Sequence, residues 1–303
     1  MKRGTPGSVP HHPREGLWLC WLLCVLFESS FRDAIVFKGG TSLSKVFGVI
    51  NRFSEDIDLS LAPAFLGLDE PDAIAALSKG QANKWMERAQ ATCTAVVRDK
   101  LAPEIATALG TRLGESEGPW LTFEVDASSH SPVLLFHYPT TQPAALEYLK
   151  RSVKLEFGSL TDQRPTASLA VRPWIADVLP DAFADWHCDV VALDLHRAWE
   201  KATILHAEHH RPADKPTPDR FARHYADTAA LALHAEASGA ITQSRAARSC
   251  RPLEEPLLRQ RVGALRPGAA ADVQAGTSAR TRAGTSARLS GHARYVHVRT
   301  AVI

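Results

Sequence analysis

The sequence predicts an α+β fold. A mixed sheet with flanking helices comes first, then a helical C-terminal lobe and a tail too poor in large apolar residues to order itself. Three observations carry this prediction. Short segments that alternate polar and apolar residues recur through the front of the chain, most cleanly at 56–59 and 153–157. After Pro180 the apolar spacing becomes helical. Beyond about residue 240 apolar periodicity fades, and Tyr295 is the only aromatic residue left. The resulting division is a loose N-terminus at 1–15, an α/β domain at 16–180, a helical lobe at 181–240 that reads as truncated, and a tail at 241–303.

The elements follow in order. Residues 1–15 are rich in Pro, Gly and His and read as loose. Residues 17–30 form an apolar helix. Its run at 17–27 is too short to span a bilayer and no small-x-small cleavage site follows, so the expectation is a buried helix packed on the sheet, in a cytoplasmic protein without a membrane partner. Residues 34–37 make a short strand that ends at the glycine pair Gly39-Gly40. Residues 42–50 form a helix, and 55–61 a strand. From 72 to 109 apolar residues recur at helical spacing, with Pro103 a break between helices. Strands are expected at 121–125, 133–138 and 153–157, and helices at 193–210 and 219–237.

Composition bounds the class. With 303 residues, 45% hydrophobic and 22% charged, the chain has enough apolar material for a core. Its formal net charge of +2 hides an asymmetry. Residues 241–303 hold eleven arginines, no lysine and three acidic residues, whereas the rest carries 24 basic against 30 acidic groups. Within the tail Ala275-Gly276-Thr277-Ser278-Ala279-Arg280 recurs as Ala283-Gly284-Thr285-Ser286-Ala287-Arg288. A tail translated out of frame from a GC-rich gene is favoured here over a disordered, nucleic-acid-binding basic arm. The five cysteines are scattered and none forms Cys-x-x-Cys, which fits reduced thiols rather than a zinc ribbon or a disulfide framework.

The chemistry concentrates between residues 37 and 59. Phe37-Lys38-Gly39-Gly40-Thr41-Ser42-Leu43-Ser44-Lys45 places a glycine pair ahead of a helix, and Arg52-Phe53-Ser54-Glu55-Asp56-Ile57-Asp58-Leu59 follows as a strand. Glycine lets a backbone bend and come close to a phosphate. Asp56 and Asp58, two apart on a strand, project from one face and offer hard oxygen ligands to a divalent cation, while Ile57 and Leu59 enter the core. A bound cation relieves the repulsion between the two carboxylates. This is the pattern of a site for a nucleoside triphosphate and its metal ions, Mg2+ or Mn2+. Glu156, on the polar face of the strand at 153–157, is the candidate third metal carboxylate; the alternative is a surface glutamate paired with a lysine. Lys38 and Lys45 flank the glycines, and either could attract the nucleotide. No Walker A order and no Gly-x-Ser-x-Gly elbow occurs. His206, His209 and His210 read as a helix-end cluster rather than a zinc site.

These residues resemble the AbiEii/AbiGii toxin family of nucleotidyltransferase-like proteins. The resemblance continues in Val153-Lys154-Leu155-Glu156-Phe157-Gly158, Trp199-Glu200-Lys201-Ala202 and Arg223-His224-Tyr225-Ala226-Asp227, and covers roughly residues 15–237. It implies a polymerase-beta-type nucleotidyltransferase sheet with a helical lobe. It implies that Gly39, Gly40, Thr41 and Ser42, with Lys45 beside them, hold the triphosphate. It gives catalytic roles to Ser54, Asp56, Asp58, Lys201 and Asp227, with Asp56 and Asp58 on the metal. From the residues alone, Ser54 could equally cap the strand entry, Lys201 be a solvated lysine, and Asp227 orient Lys201 or a substrate hydroxyl. The function implied is a toxin of a toxin–antitoxin or phage-defence system that moves a nucleotide from a nucleoside triphosphate to RNA, with transfer RNA the narrower expectation and a cognate antitoxin as partner. The alternatives are an inactive nucleotide- or antitoxin-binding module and a small-molecule nucleotidyltransferase.

Overall fold

The computed structural model describes residues 13–50, 56–68, 77–116, 118–139, 152–210, 217 and 221–237. Residues 1–12 of the stretch 1–15 expected to be loose, Ser54 and the tail at 241–303 lie outside them; residues 13–15 are not loose but open the first helix. A seven-stranded mixed sheet organises the rest. Its strands are β1 (Ile35–Lys38), β2 (Asp56–Leu61), β3 (Leu121–Val125), β4 (Pro132–His137), β5 (Ser152–Gly158), β6 (Thr166–Ala170) and β7 (Asp189–Leu193), in the order β3-β4-β5-β2-β1-β7-β6. β1 runs antiparallel to β2 and parallel to β7, and β2 runs parallel to β5.

Alternation sets the two faces of the sheet. Ile35 and Phe37, Ile57 and Leu59, Val153, Leu155 and Phe157, Leu134 and Phe136, and Val190 and Ala192 all enter one core. Helix α1 (Pro13–Phe27) covers that face with Leu19, Leu22, Leu23 and Leu26, each buried. Trp18 and Trp21 of α1 both meet Phe136, with ring centroids 5.9 Å away in each case. This is the buried helix the sequence predicts, and among the described residues no helix is long and apolar enough to cross a membrane.

The same core takes α3 (Lys79–Val96) and α4 (Ala102–Leu113), which supply Trp85, Ala89, Cys93, Ile105 and Leu109. A capping box starts α3: Ser78 Oγ accepts from the Gln81 N–H while the Gln81 side chain accepts from the Ser78 N–H. Pro103 does not break the rod as expected. A π-turn at Val97–Leu101 joins the two helices, and Pro103 falls in the first turn of α4, where its missing N–H is tolerated.

Two strands depart from the sequence reading. β6 and β7 form the far side of the sheet, and β7 pairs with β1. The sheet therefore includes residues 189–193, beyond the division at 180, and the helix expected from 193 begins later. A 3-10 turn at Leu195–Trp199 leads into α6 (Glu200–His209), and α7 (Ala222–Leu233) follows. A smaller cluster of Leu43, Ile50, Leu195, Leu231 and Ala237 joins this C-terminal segment to α2 (Gly39–Lys45).

Phe157 is fully buried near the C-terminal end of β5. Phe157→Ala removes a large side chain from a close-packed core and is expected to lower the unfolding free energy by about 3–5 kcal/mol, read as a shift of the urea midpoint.

Candidate active site

β1 delivers the chain to the site without a loop. Lys38 is extended, and Gly39 already opens α2 with φ +79°. That conformation disfavours any residue with a side chain. The available space excludes one as well: a Cβ on Gly39 would lie 1.9 Å from Asp58 Oδ2 and 2.6 Å from its Cγ. Strand register brings the two together, since Lys38 stands opposite Asp58 on β1 and β2.

The expected glycine loop is therefore the first turn of a helix, and its hydroxyls point inward. Thr41 Oγ1 donates to the backbone carbonyl of Asp56. Ser42 Oγ donates to the Gly39 carbonyl at 3.0 Å. Both residues are buried, so these hydroxyls bind the junction to itself rather than facing solvent. Lys45 is also placed elsewhere. Among the described residues its ammonium has no hydrogen-bond partner, and it sits 3.6 Å from the centre of the Trp174 ring, beside Gly16 of α1. Burial pushes the Lys45 pKa down, partly offset by the neighbouring Cys20 thiol. The lysine that reaches the acidic face is Lys38, whose Nζ donates to Thr161 Oγ1 at 2.9 Å.

Asp56 and Asp58 share one face of β2, as the sequence predicts, each partly exposed. The parallel pairing with β5 sets Lys154 beside Asp56 and Glu156 beside Asp58. Three carboxylates thus line one face, and Glu156 has partners of its own. Its Oε2 lies 3.0 Å from Lys154 Nζ, and its Oε1 accepts from Ser129 Oγ at 3.4 Å. Among the described residues no three His, Cys, Asp or Glu side chains converge as a metal-holding group. The histidine cluster stays a stack of rings: His206 and His209 each meet His210 edge-on, at 4.5 and 5.0 Å.

Electrostatics single out Asp58. Burial pushes its carboxyl above the ordinary value. Lys38 pulls it back, Glu156 and Asp56 push it further up, and Lys201 pulls it down. Lys201 therefore belongs to the same charge cluster, although it comes from α6. It is held by Asp227 of α7, with Nζ 3.1 Å from Oδ2 and side-chain exposures of 14% and 1%. A buried carboxylate paired to a nearly buried lysine costs desolvation that only close geometry offsets, so the pair fixes where the lysine charge sits. Asp56 and Asp58 offer the hard oxygen donors a divalent cation takes, and the cost of ionising Asp58 beside two acids is one that such a cation would remove.

Lys154 and Glu156 share one face of β5 and pair, as the alternative reading of Glu156 had it. Sequence reasoning missed Asp126, whose Oδ2 lies 3.1 Å from Lys154 Nζ and which comes from the β3–β4 turn.

A strand that enters a glycine-led helix, with paired aspartates on the adjoining strand of a mixed sheet, defines a nucleotidyltransferase-like α+β protein. The family model described as Nucleotidyl transferase AbiEii toxin, Type IV TA system matches residues 21–284, and the chain belongs to that family. The match runs past residue 240, where the composition changes. No match is found among curated proteins. Membership establishes a family of nucleotidyltransferase toxins that belong to a toxin–antitoxin system.

Gly39→Ala is expected to destabilise the fold, and the loss should shrink to about 1–2 kcal/mol, the cost of the positive φ alone, in an Asp58→Gly background, because even the Cβ of residue 58 lies 2.8 Å from a Cβ at 39. A double-mutant cycle by urea unfolding measures this. A second expectation concerns pH. The folded state holds the Asp58 proton above the ordinary 3.8, so this group's contribution to stability is lost as pH rises from 3.8 through the raised value. In cation-free buffer Asp58→Asn should therefore melt at a higher temperature than the native chain at pH 7, and the gain should vanish as pH falls below that window. Circular-dichroism melts across pH check it.

Proposed function

We propose that this chain is a divalent-cation-dependent nucleotidyltransferase that moves a nucleotide from a nucleoside triphosphate to an RNA hydroxyl, with transfer RNA the first acceptor to try. The observation that carries the reading is the seating of Asp58 against Gly39, beside Asp56 and within the fields of Lys38 and Lys201. Family membership supports the transfer chemistry and a cognate antitoxin.

Asp56 and Asp58 would hold the cation. When bound, it would neutralise the phosphate charge and help align the attacking oxygen. The remaining work falls to the chain. Lys38 and Lys201 supply positive charge next to the aspartates, where a polyphosphate needs it, and Asp227 keeps Lys201 aimed. In the step itself the acceptor oxygen bonds to the α-phosphorus, the bond from that phosphorus to the bridging oxygen breaks, and pyrophosphate leaves with the electron pair. The hydroxyl proton passes to a carboxylate of the aspartate pair. Thr41 and Ser42 act indirectly, by holding the strand–helix junction rigid.

Incubation with each labelled nucleoside triphosphate, Mg2+ and total RNA tests the reading. Label is expected on RNA, and Asp56→Ala and Asp58→Ala should each lower the rate at least about 10²-fold. Lys201→Ala and Asp227→Asn should lower it less, by about 10-fold or more. Triphosphate binding without transfer to any acceptor would favour the inactive binding module, and label on a small hydroxylated compound would favour the small-molecule enzyme.

A further inference from the structure

We propose that Lys154 is a resident cation that occupies Glu156 while the acidic face holds no divalent ion, and that it cedes Glu156 and keeps Asp126 when such an ion arrives. The inference rests on the reading of Asp56 and Asp58 as cation ligands.

Its basis is the way Glu156 is held. Register places it beside Asp58, with the carboxylate on the same face as the aspartate pair. Adjacent strands lie about 4.8 Å apart, so an unrestrained glutamate at this position reaches its neighbour. Both of its oxygens have partners: Lys154 Nζ donates to Oε2 at 3.0 Å and Ser129 Oγ donates to Oε1 at 3.4 Å. Lys154 simultaneously contacts Asp126 Oδ2 at 3.1 Å.

Asp126 itself is fixed. Its Oδ1 accepts from Ser128 Oγ at 2.7 Å, from the Ser128 N–H at 2.9 Å and from the Ser129 N–H at 3.0 Å. The turn is moored in its place by Gln90 of α3, whose amide donates to the carbonyls of Ser129 and His130 at 3.1 and 2.9 Å. One bonding arm of Lys154 is therefore anchored to a rigid turn, and the other lies on a glutamate of the proposed site. An ammonium is a compact charge on a flexible stem and can give up one partner while keeping the other. Three carboxylates on one face repel, and Lys154 offsets that repulsion until a stronger cation takes over. The side chains of Lys154, Asp126 and Glu156 are 25%, 25% and 29% exposed, so the exchange takes place under partial shielding from solvent.

A purely structural salt bridge and a resident cation predict opposite signs. Mn2+ titration of the full chain, with free Mn2+ followed by electron paramagnetic resonance, separates them without any turnover. The native chain is expected to bind Mn2+, and Asp58→Asn to abolish binding. Lys154→Met removes the competitor and should tighten Mn2+ about three- to tenfold. Asp126→Asn keeps the turn's acceptor oxygen but leaves Lys154 with Glu156 alone, so affinity should fall by a similar factor. Glu156→Gln should weaken binding and cancel the gain from Lys154→Met in the double variant. Failure of the native chain to bind Mn2+ overturns the cation reading itself. Native binding that Asp58→Asn abolishes, with Lys154→Met folded by circular dichroism yet no tighter, overturns this inference alone. Should Lys154→Met not fold, the Asp126→Asn titration decides: unchanged or tighter binding overturns the inference.

Discussion

The carboxylate of Asp58 occupies the space that a side chain on Gly39 would need, and much of the structure serves that contact. It requires β1 and β2 to pair in a register that sets Lys38 against Asp58. It requires α2 to begin at once, without a loop, with its first turn pinned to β2 through Thr41. Burial under α1, α3 and α4 on the other face holds both strands in place, because Ile57, Leu59, Phe37 and Phe157 anchor that face with no exposed surface. The apolar core thus positions the acids indirectly: the same alternation that buries Ile57 turns Asp56 and Asp58 outward.

Charge around this contact is layered. Two strands contribute acids, and the nearest cations come from different places: Lys38 from the end of β1, Lys154 from β5, and Lys201 from a helix beyond β7. Each is tied to a second partner, Thr161, Asp126 and Asp227 respectively. A lysine with a fixed second partner pays little further entropy when it meets a ligand, so the site is organised before anything binds. Lys45, despite its proximity in sequence, contributes to the packing of α1 and Trp174 instead.

Much of this was legible in the sequence, and the failures have physical causes. The alternation at 56–59 and 153–157 identified the central strands and the outward face of the aspartates, because a half-buried strand enforces period two. The same rule applied to β1 would have chosen Lys38 over Lys45, since Ile35 and Phe37 point inward and Val36 and Lys38 outward. β6 was hidden because the half-exposed edge segment Thr-Ala-Ser-Leu-Ala carries little apolar signal. β7 was hidden because its apolar residues run directly into the helical pattern that follows. The helical turn at Gly39 escaped because glycine reads as a loop, whereas here the close approach of Asp58 demands it. The Asp126–Lys154–Glu156 chain depends on how a hairpin turn folds over a strand about thirty residues away, and no local pattern encodes that.

The junction between β1 and β7 has one further consequence. Those strands pair in register at a single position, Phe37 with Ala192, while β2 and β5 pair over five. The residues that bring Lys201 to the acids lie downstream of that narrow seam, and a small apolar cluster against α2 helps to anchor them. The two aspartates and their helical lysine thus ride on separate sides of the molecule's thinnest lateral join. The charge that Lys201 sets against Asp58 therefore reaches it from across that join and not through its own strand.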